Sequence, residues 1–181
     1  MSHLVIAGAA LVRGGRLLFE GLDLALDAGE AAHVTGPNGC GKSSLMRMVA
    51  GLLHPAAGTI ERTDVALADD GLALDRELAL ARALAFWDGP HLGEAIDAFD
   101  LRGLADVPVR LLSTGQARRA RLARVMASAA PLWLLDEPLS GLDRAGVAQL
   151  DAAIGAHRAR GGAVLAASHV ALAGPWREVA L

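Results

Sequence analysis

The sequence predicts an α/β fold built on a mostly parallel core sheet, with a small antiparallel β region and a reduced helical lobe. Three observations carry this. Apolar strand-like runs alternate with helically spaced segments across long crossovers, the connection that parallel strands require. A glycine-rich loop at 36–41 stands between one such run and one such helix. From 69 to 108 the texture turns to Ala, Leu and acidic residues with few β-branched side chains, which marks an inserted helical region.

"HLVIAGAAL", "RLLFEGLDLAL" and "EAAHVTG" read as short strands, separated by the turn signals Gly14-Gly15 and Asp27-Ala28-Gly29. Over 42–52, Leu45, Met48 and Val49 recur at helical spacing, and Gly51 and Pro55 mark the end. "GTIERTDVALA" supplies two more short strands. In "LLSTGQARRARLARV" the residues Leu122, Val125, Met126 and Ala129 form the core-facing stripe of a helix. The apolar strand "PLWLLDEP" follows, then a helix over 144–160, a strand "GGAVLAAS" and a terminal piece "REVAL". The expected organisation is a single domain, 1–181, with its core and β region in 1–68 and 129–181 and a helical lobe at 69–128.

Composition narrows the class. With 181 residues, 53% hydrophobic and 20% charged, the chain is globular and long enough for a sizeable core. A net charge of -3 argues against a free-standing nucleic-acid binder, so no nucleic-acid partner is expected. The single cysteine, Cys40, excludes a disulfide framework and suits a reducing compartment. The first residues lack the basic start of a signal peptide, and no run is long enough to span a bilayer. At a membrane, the chain is expected to be held by a partner.

The strongest chemical signal is "GPNGCGKSS", 36–44, which matches G-x-x-x-x-G-K-[ST] between a strand and a helix. It makes Gly36, Pro37, Asn38, Gly39, Cys40, Gly41, Lys42, Ser43 and Ser44 candidate phosphate-binding residues of a P-loop NTPase. Glycines let successive N–H groups turn inward around phosphate oxygens. Lys42 offers a mobile charge to the β and γ phosphates, and Ser43 a hydroxyl to Mg²⁺. The expected ligand pair is a nucleoside triphosphate with Mg²⁺. In "LWLLDEP" two acids stand at the C-terminal end of a buried strand, where open α/β sheets bind their ligands. Asp136 is placed to hold Mg²⁺ and Glu137 to orient or deprotonate water. As neighbours on a strand they are expected to point to opposite sides. Ser113-Thr114-Gly115-Gln116 forms a tight turn with helix-capping chemistry at Ser113. The arginines behind it, Arg118, Arg119, Arg121 and Arg124, flank the apolar stripe without an interleaved aromatic, so no base-stacking platform is evident.

The order of phosphate loop, "LSTGQ", "LLDEP", "SGLD" and a strand followed by "SH" resembles the nucleotide-binding domain of ABC-type ATPases across nearly the whole chain. That resemblance implies a P-loop NTPase of ABC type that takes ATP with Mg²⁺ and acts as a head-to-tail homodimer. Ser113, Gly115 and Gln116 would close over the γ-phosphate held by the opposite subunit. Asp143 would communicate across the dimer interface, and His169 would contact the γ-phosphate. With Glu137 and Lys42, His169 would complete the catalytic set.

Within that family, "RLLFEGLDLALDAGE", "GPNGCGKSSLMRMVAGLLHPAAGTI" and "APLWLLDEPLSGLD" resemble the ATP-binding subunits of the haem exporters of bacterial cytochrome c maturation. The resemblance implies a peripheral subunit on the cytoplasmic face of the inner membrane. It also implies integral membrane transporter partners, namely a haem exporter permease. The alternatives are the ATPase subunit of an ABC transporter for another substrate, or a soluble ABC ATPase outside transport.

Two departures stand out. Where such domains carry an aromatic that stacks on adenine, the alignment puts Arg13, whose guanidinium can also stack; the other reading is an exposed turn residue. Where they carry a glutamine that reads Mg²⁺ and couples to the membrane partner, this chain has Asp69 and Asp70. Asp70 is the candidate metal ligand there, against a solvated turn. The remaining histidines, His3, His33, His54, His91 and His157, have no metal-ligand spacing and read as structural.

Overall fold

β1 (Ser2–Arg13) and β2 (Arg16–Asp27) pair antiparallel around the Gly14-Gly15 turn. The fold is that of a computed structural model describing residues 1–71, 73–87 and 89–181. Both strands run 12 residues, longer than the short strands expected from the sequence. Their register shifts between Ile6 and Ala9 and again between Ala9 and Leu11, which breaks the alternation a long strand would show. β4 (Ala57–Arg62) pairs with the other edge of β1, giving the small antiparallel sheet β2-β1-β4.

The second sheet has five strands in the order β5-β6-β7-β3-β8. They are β5 (Val65–Ala68), β6 (Leu132–Asp136), β7 (Ala163–Ala167), β3 (Ala31–Thr35) and β8 (Arg177–Ala180). β6, β7, β3 and β8 run parallel. Every residue of β6 and β7 is buried, which is why both read as unbroken apolar runs. "GTIERTDVALA" does form two strands, but they belong to different sheets.

The helices are α1 (Lys42–Val49), α2 (Leu80–Ala85), α3 (Leu92–Ala98), α4 (Thr114–Ala127) and α5 (Arg144–Ala159). α1 stops three residues short of the expected 52, because Gly51 turns to φ 81 and its N–H closes on the Met48 carbonyl. α4 likewise ends at Ala127 with Ser128 extended. Leu122, Val125 and Met126 of the expected stripe are buried, whereas Ala129 lies past the helix end and is exposed.

The chain packs as two compact units. The first comprises Met1–Leu67, Ala130–Glu137 and His157–Leu181; the second comprises Ala68–Ala129 and Pro138–Ala156. The helical unit thus takes in Pro138–Ala156 as well as the region expected at 69–128. In the first unit Leu4, Leu26, Val34, Leu45, Met46, Leu132, Leu134 and Leu165 form one fully buried cluster. Each such side chain contributes about 1.5–3 kcal/mol by leaving water. The second unit buries Leu80, Leu84, Phe99, Leu101, Leu122 and Val125. Among the described residues no helix is long and apolar enough to cross a membrane.

Candidate active site

In the first unit the chain leaves β3 at Thr35 and turns through 36–41 into α1. Gly36 at φ 143 and Gly41 at φ 118 lie where side chains are strained. Space forbids a side chain as well. A Cβ on Gly36 would sit 2.9 Å from Cys40 Sγ and from the Leu181 carbonyl oxygen. A Cβ on Gly41 would sit 3.2 Å from the Phe19 ring and 3.3 Å from Leu18 Cβ. Gly41 caps α1 with no side-chain cap bond, so no capping side chain competes for the first-turn N–H groups. Such a helix start suits phosphate oxygens. Lys42 is buried, and its Nζ donates to the carbonyls of Gly36 at 2.7 Å and Pro37 at 3.1 Å. The loop backbone thereby holds the ammonium at the helix start.

This loop forms one wall of a cleft of about 210 Å³ lined by Asn38, Gly39, Gly41, Lys42, Ser43 and Ser44. Leu18 of β2 and Glu137 complete it. Leu18 is a residue that sequence reasoning did not single out. Its signal was the crowding of β2 against the loop, which no local motif reports.

Asp136 is the last residue of β6 and is buried. Glu137 is not its strand neighbour in the expected sense: it lies beyond β6 in the left-handed region, φ 47. The two acids therefore diverge through a backbone turn and not through strand alternation. The Glu137 N–H donates to the Ala167 carbonyl at 2.8 Å. Its Oε2 accepts from His169 Nδ1 at 2.7 Å. Phosphate loop, acid and histidine are thus gathered in one unit.

The second unit carries the Ser-Thr-Gly-Gln turn. Ser113 and Gln116 form a reciprocal capping box on α4: Gln116 N–H donates to Ser113 Oγ at 3.3 Å, and Ser113 N–H donates to Gln116 Oε1 at 2.9 Å. Gly115 packs on the "SGLD" segment so closely that a Cβ would lie 3.1 Å from the Gly141 carbonyl oxygen. A second cleft, about 150 Å³, is lined there by Ser113, Gly115, Gln116, Arg119 and Asp143. Asp143 Oδ1 also accepts the Gly146 N–H at 2.8 Å, fixing the start of α5.

The four arginines have separate partners inside this unit. Arg118, 3% exposed, donates Nε to the Ser140 carbonyl at 3.0 Å. Arg119 Nη1 bonds the Phe99 carbonyl at 3.1 Å, and Arg121 Nη1 the Asp69 carbonyl at 2.7 Å. Arg124 lies over the Trp87 ring, 4.6 Å from its centroid. Burial lowers the basicity of Arg124, with Asp69 opposing it.

The sequence profile of the ABC transporter family matches residues 19–140. The chain belongs to that family. Its relatives include "Cytochrome c biogenesis ATP-binding export protein CcmA" of Sphingopyxis alaskensis, 58% identical over 95% of this chain and 92% of that protein. The protein of the same name from Novosphingobium aromaticivorans is 56% identical over 94% of this chain and 90% of that protein. That of Zymomonas mobilis is 52% identical over 94% and 80%. In fold, the chain is similar to an ABC transporter ATP-binding protein from Pyrococcus furiosus, with TM-score 0.85 and 19% identity, over 98% of this chain and 96% of that one. A second solved ABC transporter ATP-binding subunit gives TM-score 0.83 at 22% identity, over 92% and 79%.

As an ABC ATP-binding chain it is an ATPase, and the donor set suits the ion that accompanies ATP. Ser43 offers a hydroxyl on the cleft, and Asp136 a carboxylate at the end of β6. Among the described residues no group of three or more His, Cys, Asp or Glu could cage a metal. Mg²⁺ does not ask for one, since it takes one or two protein oxygens beside substrate phosphates. Two further expected residues are both exposed. Arg13 is exposed at the end of the β1–β2 hairpin, opposite Arg16, and is not among the residues lining the cleft. Asp70 belongs to the second unit, is largely exposed, and has Arg118 Nη2 at 3.7 Å.

Proposed function

We propose that this chain is the ATP-hydrolysing subunit of a haem exporter complex in cytochrome c biogenesis. It sits on the cytoplasmic face of the inner membrane, held by integral membrane partners that include the haem exporter permease. The observation that carries this reading is the shared name of relatives 58%, 56% and 52% identical over nearly all of this chain. The same reading makes the active form a homodimer with two bound ATP molecules.

The chemistry follows from the residues lining the cleft. The loop N–H groups of 36–44 and the Lys42 ammonium bind and orient the triphosphate. A Mg²⁺ ion, held by Ser43 and Asp136, would neutralise phosphate charge. Glu137 takes the proton of the water that attacks the γ-phosphate. His169, bonded to the Glu137 carboxylate at 2.7 Å, keeps that base oriented and faces the γ-phosphate. Ser113, Gly115 and Gln116 of a second copy supply further donors to the same phosphate, with Asp143 beside them. Asp70 and Arg13, both exposed, are the residues open to the roles of the coupling glutamine and the adenine-stacking aromatic.

The reading is tested by deleting the gene and scoring covalent haem in membrane c-type cytochromes. Loss of haem attachment that the wild-type chain restores and Glu137→Gln does not is the expected result. Normal cytochrome c maturation in the deletion strain overturns it.

A further inference from the structure

His33 is an odd residue for its place. It lies in β3, whose first four residues are all buried, in a parallel strand where apolar side chains are the norm. A buried histidine is most often a satisfied core residue, and this one is satisfied: its Nε2 lies 2.9 Å from the Ser168 carbonyl oxygen. A carbonyl only accepts, so Nε2 is the protonated, donating nitrogen. The Trp176 ring meets the imidazole edge-on at 6.4 Å.

The partner is what gives the bond a use. The β3–β7 ladder pairs His33 with Ala166 and Val34 with Ala167, which is the last residue of β7. The His33 side chain therefore ties down the first residue after the strand. Ser168 is itself 2% exposed, and its Oγ accepts the Val170 N–H at 3.0 Å. The two bonds bracket His169, one on the carbonyl before it and one on the N–H after it. The His169 side chain is 65% exposed and gains little from packing, yet its Nδ1 sits 2.7 Å from Glu137 Oε2.

We propose that His33 is a positioning residue for hydrolysis: its Nε2–H holds the Ser168 carbonyl, and with it the backbone from which His169 meets Glu137. This rests on the hydrolytic roles proposed for Glu137 and His169. It goes beyond them in giving a task to a residue outside the phosphate-binding motif.

The test compares His33→Gln with His33→Met in the full chain. Both side chains have similar length; the amide of Gln can donate to Ser168 and Met cannot. His33→Met is expected to lower kcat about tenfold, the effect of losing one buried hydrogen bond, with KM changed less than about twofold. His33→Gln should stay within about threefold of wild type, on the same scale. In a His169→Ala background, His33→Met should add less than about a twofold further loss, because its path to the chemistry is already gone. Without nucleotide, imidazole proton–nitrogen spectra should place the His33 proton on Nε2. The His169 signals should move in His33→Met and stay put in His33→Gln.

Undiminished kcat in His33→Met, equal damage in both variants, or an undiminished loss in the His169→Ala background overturns the proposal. So does an Nδ1–H tautomer of His33 in the wild-type protein, a result independent of how well any variant folds. Failure of the hydrolytic reading has its own mark, equal turnover in wild type and Glu137→Gln, and the His169 spectra then still decide what His33 holds.

Discussion

Glu137 and His169 meet at 2.7 Å although 32 positions separate them in the chain. Two local facts bring this about. β6 and β7 are parallel neighbours with Asp136 opposite Ala167, so the residues that follow them leave the sheet at the same level. Glu137 then turns to φ 47, anchored by its N–H on the Ala167 carbonyl, which aims its side chain away from the strand direction. A left-handed non-glycine residue costs about 1–3 kcal/mol, and such strain gathers at functional sites.

The phosphate loop should tolerate no side chain at Gly41. Gly41→Ala meets both φ 118 and the Phe19 ring at 3.2 Å. A loss of about 2 kcal/mol in urea unfolding is expected, from strain and crowding together. Nucleotide affinity should fall at least about tenfold, because the loop must shift to relieve the clash. Fluorescent-nucleotide titration checks this, and wild-type affinity would contradict the cradle described.

The arginines of the helical unit are structural to different degrees. Arg118→Ala removes a buried guanidinium and its bond to the Ser140 carbonyl, and should cost about 2–4 kcal/mol. Arg110→Ala removes an exposed pair with Glu77, and should cost no more than about 0.5 kcal/mol. Equal costs in chemical denaturation would show that burial is not what distinguishes them.

Stability should fall in mild acid because of His157. Burial pushes its pKa down to about 4 from 6.5, with Arg160 and His3 adding to the effect against backbone hydrogen bonds with Pro131, whose carbonyl accepts from the ring, and with Ala163. The ring also stacks on Trp133 at 3.9 Å. Between these values the unfolded chain binds the proton and the folded chain does not. The neutral imidazole's contribution is therefore fully present above pH 6.5 and is lost as pH falls toward 4. His157→Phe keeps a stacking ring and removes the titration. Wild type should lose about 2–3 kcal/mol more than this variant between pH 7 and 4.5, by linkage. Parallel pH profiles would contradict the burial argument.

Much of the site was legible because its signals are local. The phosphate loop and the S-x-x-Q capping box at Ser113 and Gln116 each announce themselves within a few residues, and β6 reads as a buried strand from its apolar run. What was not legible depends on long-range packing. Leu18 reaches the cleft only because β2 passes over Gly41. The partners of Arg119 and Arg121 are carbonyls 20 and 52 positions away, which no periodicity encodes. β4 and β5 adjoin in sequence yet join different sheets, and Glu137 leaves the strand that its apolar neighbours suggest. The 12-residue strands were hidden by register shifts that interrupt alternation.

On the proposed reading, Glu137 acts on the attacking water in a cleft that binds ATP through its loop. The most direct measurement is steady-state ATP hydrolysis by Glu137→Gln, paired with ATP affinity. Turnover should drop by at least about 100-fold, the scale of general-base catalysis, while the dissociation constant stays within about threefold. Turnover equal to wild type at unchanged affinity would contradict the account.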